Sequence, residues 1–236
     1  MFIAANNVTG MAWFKNLRTD HHGHTEHYVK PETTSIPTGV ETPKINETFI
    51  KYVNIVAKPE NFRRIAGNDS YITFGEMESA ARMGPNCGFD RQLVEACAFF
   101  AGNGGANFRA LDSLVRLDGY VGSADFEAAN KVYQADLEKA AKRRQVAEAA
   151  DTVYKVFDTL KTVGANGNPH FIDQIDLKGL VAGGGSIWTP EQREAARVVL
   201  DNFAAIDGIN TGGRCDGLIG KEDLLTAKTS PGKVVL

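Results

Sequence analysis

From Phe49 onward the apolar residues fall at helical spacing: Phe49, Tyr52, Val53 and Val56 form the stripe of an amphipathic helix. Farther along, the pattern becomes a repeat. The segments NFRRIAGNDSYITFGEM, NFRALDSLVRLDGYVGSADF, VFDTLKTVGANGNPHFIDQIDL and NFAAIDGINTGGRCDGLIGKEDL each carry a Phe (Phe62, Phe108, Phe157, Phe203), with Ile or Leu three residues later (Ile65, Leu111, Leu160, Ile206). A stretch rich in Gly, Asn and Asp follows. Then comes one β-branched residue (Ile72, Val121, Ile172, Ile219) and, four residues on, an acid (Glu76, Asp125, Asp176, Asp223). A period of about 50 residues marks a repeat architecture in which each unit reads helix, loop, helix.

The physics of one unit is simple. Phe and Ile or Leu, three residues apart, close the apolar face of an incoming helix. Gly and Asn supply the backbone conformations of a tight loop. The single β-branched residue suits a very short strand through which two units pair, and the acid opens the outgoing helix. TFGE, with Thr73 and Glu76, is a capping box, and TPEQ, starting at Thr189, is another with Pro190 at the first helical position. This is the skeleton of an EF-hand. Between the second and third units runs ADFEAANKVYQADLEKAAKRRQVAEAADTVYKVFDTLKTV, without Gly or Pro, which predicts one long helix. The expected fold is all-α: four EF-hand-like helix-loop-helix units in two paired lobes joined by a long helix. The expected boundaries are a flexible segment over 1–45, lobes over 46–130 and 151–228, a connecting helix over 131–150 and a tail over 229–236. The paired strands should match Ile72 with Val121, and Ile172 with Ile219.

A 12-residue calcium loop needs oxygen ligands at positions 1, 3 and 5, Gly at 6 and an acid at 12. With the β-branched residue at position 8, none of the four loops meets this pattern. The second and fourth keep position 5, the Gly and the acid. In an expanded loop the candidate calcium ligands are Asp112, Asp118 and Asp125, and in the other Asp207, Asp216 and Asp223. Arg116 and Arg214 fall at position 3, where an oxygen belongs. A guanidinium there repels a dication and is expected to pair with the loop aspartates in its place. The loops are therefore read as EF-hand-shaped and metal-free, with calcium binding as the alternative.

Charge and composition narrow the field. A net charge of -3 over 236 residues argues against a duplex-binding protein, and no apolar run is long enough to span a membrane. Cys87, Cys97 and Cys215 make an odd set without C-x-x-C spacing, and read as free thiols. Cys87 lies in a loop, but no second motif supplies a base, so no enzyme is expected. The tract DHHGHTEHY holds His21, His22, His24 and His27 in a segment too polar to preform a metal site.

The spacing in AIDGINTGGRCDGLIGKEDL, together with the context YITFGEMESAAR and LVEACAFFAGNGGANFRALDSL, resembles the repeats of the HrpF/NolX family of type III secretion translocon proteins of plant-associated bacteria. The resemblance covers about residues 65–228. Two departures stand out. The second unit is shorter by three residues between its aspartates, and the hydrophobic C-terminal segments of such translocon proteins have no counterpart in this sequence. The resemblance implies a bacterial protein exported towards a host, with residues 1–45 as export signal. It does not imply a pore. The function expected is that of a non-enzymatic exported interaction protein with an unidentified protein partner; the alternative is a calcium sensor or buffer.

Overall fold

A computed structural model describes residues 43–84, 87–163, 170–183 and 187–236 of the chain. The polar segment up to residue 42, with its histidine tract, lies outside them. The chain divides into two compact units, the first ending at Tyr133 and the second running from Gln134 to Leu236. The structure is mainly helical.

In unit 1, helices α1 (Glu47–Val56) and α2 (Pro59–Ala66) precede strand β1 (Ile72–Thr73) and helix α3 (Phe74–Ala81). Helix α4 (Arg91–Asp112), strand β2 (Tyr120–Val121) and the start of helix α5 (Ser123–Val163) complete it. Within α4 the helix breaks at Gly102–Gly105, where Asn103, Gly104 and Gly105 all take positive φ. Two side chains brace the break: Asn107 donates to the Phe99 carbonyl at 2.9 Å, and Arg109 to that of Gly104 at 2.6 Å. The core joins Phe49, Val53, Val56, Ile72, Leu93, Phe100, Leu111, Val121 and Phe126. Phe49 meets Phe99 and Phe100 edge-on, with centroids 5.7 and 5.4 Å away, the favoured arrangement for packed rings.

Unit 2 takes the rest of α5, then strand β3 (Phe171–Ile172) and helices α6 (Gln174–Ala182), α7 (Pro190–Asp201) and α8 (Phe203–Asp207). Strand β4 (Ile219–Gly220), helix α9 (Lys221–Thr229) and a 3-10 turn (Pro231–Lys233) follow. Its core holds Val153, Phe157, Leu160, Ile172, Leu177, Val199, Ile206, Ile219 and Leu224. The last residues, read from the sequence as a tail, are anchored: Val234 is buried, and Arg143 on α5 donates to its carbonyl at 3.2 Å. Arg143 thus ties the segment after α9 to α5. Lys221 and Lys228 of α9 pair with Asp158 and Asp151 of α5 at 2.8 and 2.5 Å, and both lie over the Tyr154 ring.

Each unit contains one antiparallel two-residue pairing. Ile72 faces Val121, and Ile172 faces Ile219, as the repeat predicts. All four side chains are fully buried, so this pairing sits over the core and fixes where each loop ends. Three of the four repeat phenylalanines, Phe108, Phe157 and Phe203, are buried. Phe62 is not: it is half-buried and meets Phe126 edge-on at 6.2 Å. The reason lies in α2, whose inward stripe is Asn61, Ile65 and Ala66. Asn61 donates its side-chain amide to the Ile55 carbonyl at 2.8 Å, and that anchor turns Phe62 to the flank.

Candidate functional site

The acids four residues after the β-branched positions do one job in all four units. Each reaches back to accept the backbone N–H that follows the β-branched residue. Glu76 Oε2 accepts from Thr73 at 2.7 Å, Asp125 Oδ2 from Gly122 at 2.9 Å, Asp176 Oδ2 from Asp173 at 3.0 Å and Asp223 Oδ2 from Gly220 at 2.8 Å. In the first and third units the reciprocal half of the capping box is present, from Thr73 and Asp173. The carboxylate also meets the positive end of its helix.

A second set of aspartates closes the two Asp-Gly loops. Asp112, the last residue of α4, is 1% exposed, and its two oxygens accept the backbone N–H groups of Asp118 and Gly119 at 3.2 and 3.0 Å. Asp207, the last residue of α8, is 2% exposed and accepts from Asp216 and Gly217 at 3.4 and 2.9 Å. Asp118 and Asp216 in turn accept from the N–H two residues on, at 3.1 and 3.0 Å, each forming an Asx turn. Gly119 and Gly217 stand at φ +87° and +84°, a region that an L side chain rarely enters. The three extra residues of the fourth unit leave this closure untouched. They are absorbed upstream, where Thr211 and Gly213 donate backbone N–H groups to the Gly208 carbonyl. The Cys215 thiol also donates to the Ala204 carbonyl.

The second glycine of each repeated stretch has a separate cause. A Cβ on Gly122 would stand 3.1 Å from the Tyr71 ring, and one on Gly220 would stand 3.3 Å from the Phe171 ring. In both units an aromatic residue just before β-branched Ile72 or Ile172 lies over the glycine of the partner strand. Aromatic cover of a sheet glycine restores the packing that the missing side chain loses.

The predicted calcium ligands Asp112, Asp118, Asp125, Asp207, Asp216 and Asp223 each accept a backbone amide, and Asp223 also accepts the Asn210 side-chain amide at 2.8 Å. Among the described residues no group of three or more His, Cys, Asp or Glu is disposed to hold a metal ion. The expected ion pairs with arginine are not formed. Arg116 and Arg214 are both exposed, and among the described residues neither has an ion-pair partner. The backbone amides already supply the positive partial charge that Asp112 and Asp207 need, while drawing a guanidinium into a buried loop costs its hydration. Cys87 and Cys215 are exposed; Cys97 is buried, and burial pushes its thiol up to about 12, so it stays protonated.

Burial raises the Asp112 carboxyl above the usual aspartate range against the pull of its two amide donors, and the nearby charges of Asp118 and Asp125 add to the rise. Asp125 is raised likewise, by burial first and Asp118 after. In unit 2, Lys155 and Lys228 lower Asp151, and Lys221 and Lys161 lower Asp158. The two sets respond oppositely to acid. A carboxyl raised on folding binds its proton more tightly in the native state, so its stabilising effect appears as pH falls through the raised value and vanishes as pH climbs back. A lowered carboxyl contributes above the ordinary aspartate value and loses that contribution as pH falls through its depressed one. Carbon-detected NMR titration should therefore find Asp112 and Asp125 above the ordinary aspartate range and Asp151 and Asp158 below it. A midpoint for Asp112 at or below that range contradicts the burial argument.

Comparison with protein-family models, with curated proteins and with solved structures finds no match to this chain. Among the described residues, no helix is long and apolar enough to cross a membrane.

Proposed function

We propose that the chain is a non-enzymatic interaction protein, exported by a bacterium through type III secretion and acting, translocon- or effector-like, through the surfaces of its two helical units. The observation that carries this reading is the use made of the loop carboxylates. Asp112, Asp125, Asp207 and Asp223 accept backbone amides that define the turn and start the next helix. Loops built this way serve as scaffold, and function then belongs to the surfaces they hold in place. The resemblance of residues 65–228 to the HrpF/NolX repeats supports the export route.

Two measurements test the proposal. A reporter fused behind residues 1–45 should leave a bacterium with a working type III apparatus and stay inside one without it. Calorimetric titration with millimolar calcium should give no heat, and the melting temperature should be the same with and without chelator. Export independent of the apparatus removes the first part of the reading. Micromolar calcium affinity removes the scaffold part.

A second reading, calcium sensor or buffer, has one observation in its favour. The charges of Asp118 and Asp125 act on Asp112, and that of Asp118 acts on Asp125, with no cationic side chain paired to any of the three among the described residues. The same titration decides between the readings.

A further inference from the structure

We propose that the loop end of unit 1 is a docking surface for a protein segment that presents an apolar side chain beside a carboxylate. The inference rests on the interaction reading above and deepens it.

The short strands place alternate side chains on opposite faces. Ile72 and Val121 point into the core, which leaves Tyr71 and Tyr120 on the outer face, edge-on with centroids 6.0 Å apart. Val115 and Leu117 lie in the loop that leads into Tyr120. These four side chains are 44–57% exposed, and they make up four of the eleven large hydrophobic residues exposed among the described residues. Scattered exposed apolar residues need no explanation, but a concentration of them at one end of a unit marks an interaction site.

Unit 2 shows that the fold requires only Tyr71 of these four, since Phe171 there takes the same place over its glycine. Its loop closes with the same aspartate and the same Asp-Gly turn, yet the residues flanking Arg214 are Gly213 and Cys215, and the position matching Tyr120 is a half-buried Leu218. Val115, Leu117 and Tyr120 therefore do not serve loop closure. Between Val115 and Leu117 stands Arg116, exposed and without an ion-pair partner among the described residues. The acidic groups on its loop are committed elsewhere: Asp112, Asp118 and Asp125 all accept backbone amides. Arginine and tyrosine are enriched in interface hot spots, and the complement of a guanidinium between two exposed aliphatic side chains is a carboxylate next to an apolar anchor. A membrane surface fits less well, because lipid headgroups attract clusters of basic residues and this patch has one cation.

The test uses the full chain, isotopically labelled, and an array of short synthetic peptides with glutamate or lysine placed beside leucine, isoleucine or tryptophan. Glutamate peptides should shift the amide signals of Tyr71, Arg116, Leu117 and Tyr120 and bind roughly tenfold tighter than their lysine counterparts, about 1.4 kcal/mol. Arg116→Glu should reverse that preference with no change in melting temperature. Leu117→Ala and Val115→Ser should weaken both kinds of peptide. Shifts confined to other residues, or equal binding to wild type and Arg116→Glu, overturn this surface and leave the interaction reading standing. Binding to phosphatidylcholine–phosphatidylglycerol vesicles with no peptide bound assigns the patch to membranes and overturns the proposal. No binding to either probe also overturns it, whereas the export assay judges the broader reading separately.

Discussion

Phe157→Ala lowers the stability of unit 2 by about 3–5 kcal/mol, the usual cost of removing a fully buried aromatic ring. The ring is 2% exposed and belongs to the core cluster that also holds Leu160, Ile172 and Ile219, so the cavity cannot fill without moving the strand pairing. Phe62→Ala, at the equivalent repeat position, should cost about half as much or less, because a half-buried ring removes less surface from water. Urea denaturation of both variants checks the contrast. Each unit has its own core, so a probe within the altered unit should report its loss directly. Equal losses for Phe62 and Phe157 would contradict the burial difference between them.

Asp207→Ala is expected to cost about 2–3 kcal/mol, because it strands two backbone N–H groups that a charged acceptor now satisfies. The gross value of two such bonds is larger, but the wild-type carboxylate already bears the cost of its own burial, and removing it returns that part. Asp207→Asn keeps one acceptor and should fall between. Hydrogen exchange at Asp216 and Gly217 should accelerate in both variants, while the Ile172–Ile219 bridge keeps its protection until unit 2 unfolds. Arg214→Ala supplies the control. Its side chain is exposed and unpaired among the described residues, so stability should change by no more than about 0.5 kcal/mol. A large loss from Arg214→Ala would restore the internal cation that the sequence suggested.

The local pieces of this protein are legible in the chain because they depend on neighbours a few residues away. Thr73 with Glu76 and Thr189 with Gln192 cap their helices where those letters stand, and the stretch without Gly or Pro becomes the helix Ser123–Val163. Even one long-range feature is written there. The pairing of Ile72 with Val121 and of Ile172 with Ile219 follows from the repeat, since a β-branched residue at the same point of each unit favours a short strand. What the tertiary structure decided concerns groups whose partners are set by geometry across a loop. Nothing in the spacing says that both oxygens of Asp112 and Asp207 go to backbone amides, because the amide partners carry no side-chain signature and lie six to ten residues away. Arg116 sits at a ligand position in the count of residues but points to water in the fold, where its hydration is worth more than an aspartate already satisfied. Phe62 shares its repeat position with three buried rings, and the Asn61–Ile55 bond rotates it out. Periodicity ranks residues by the face they occupy; the competition for each buried donor and acceptor settles which of them reach it.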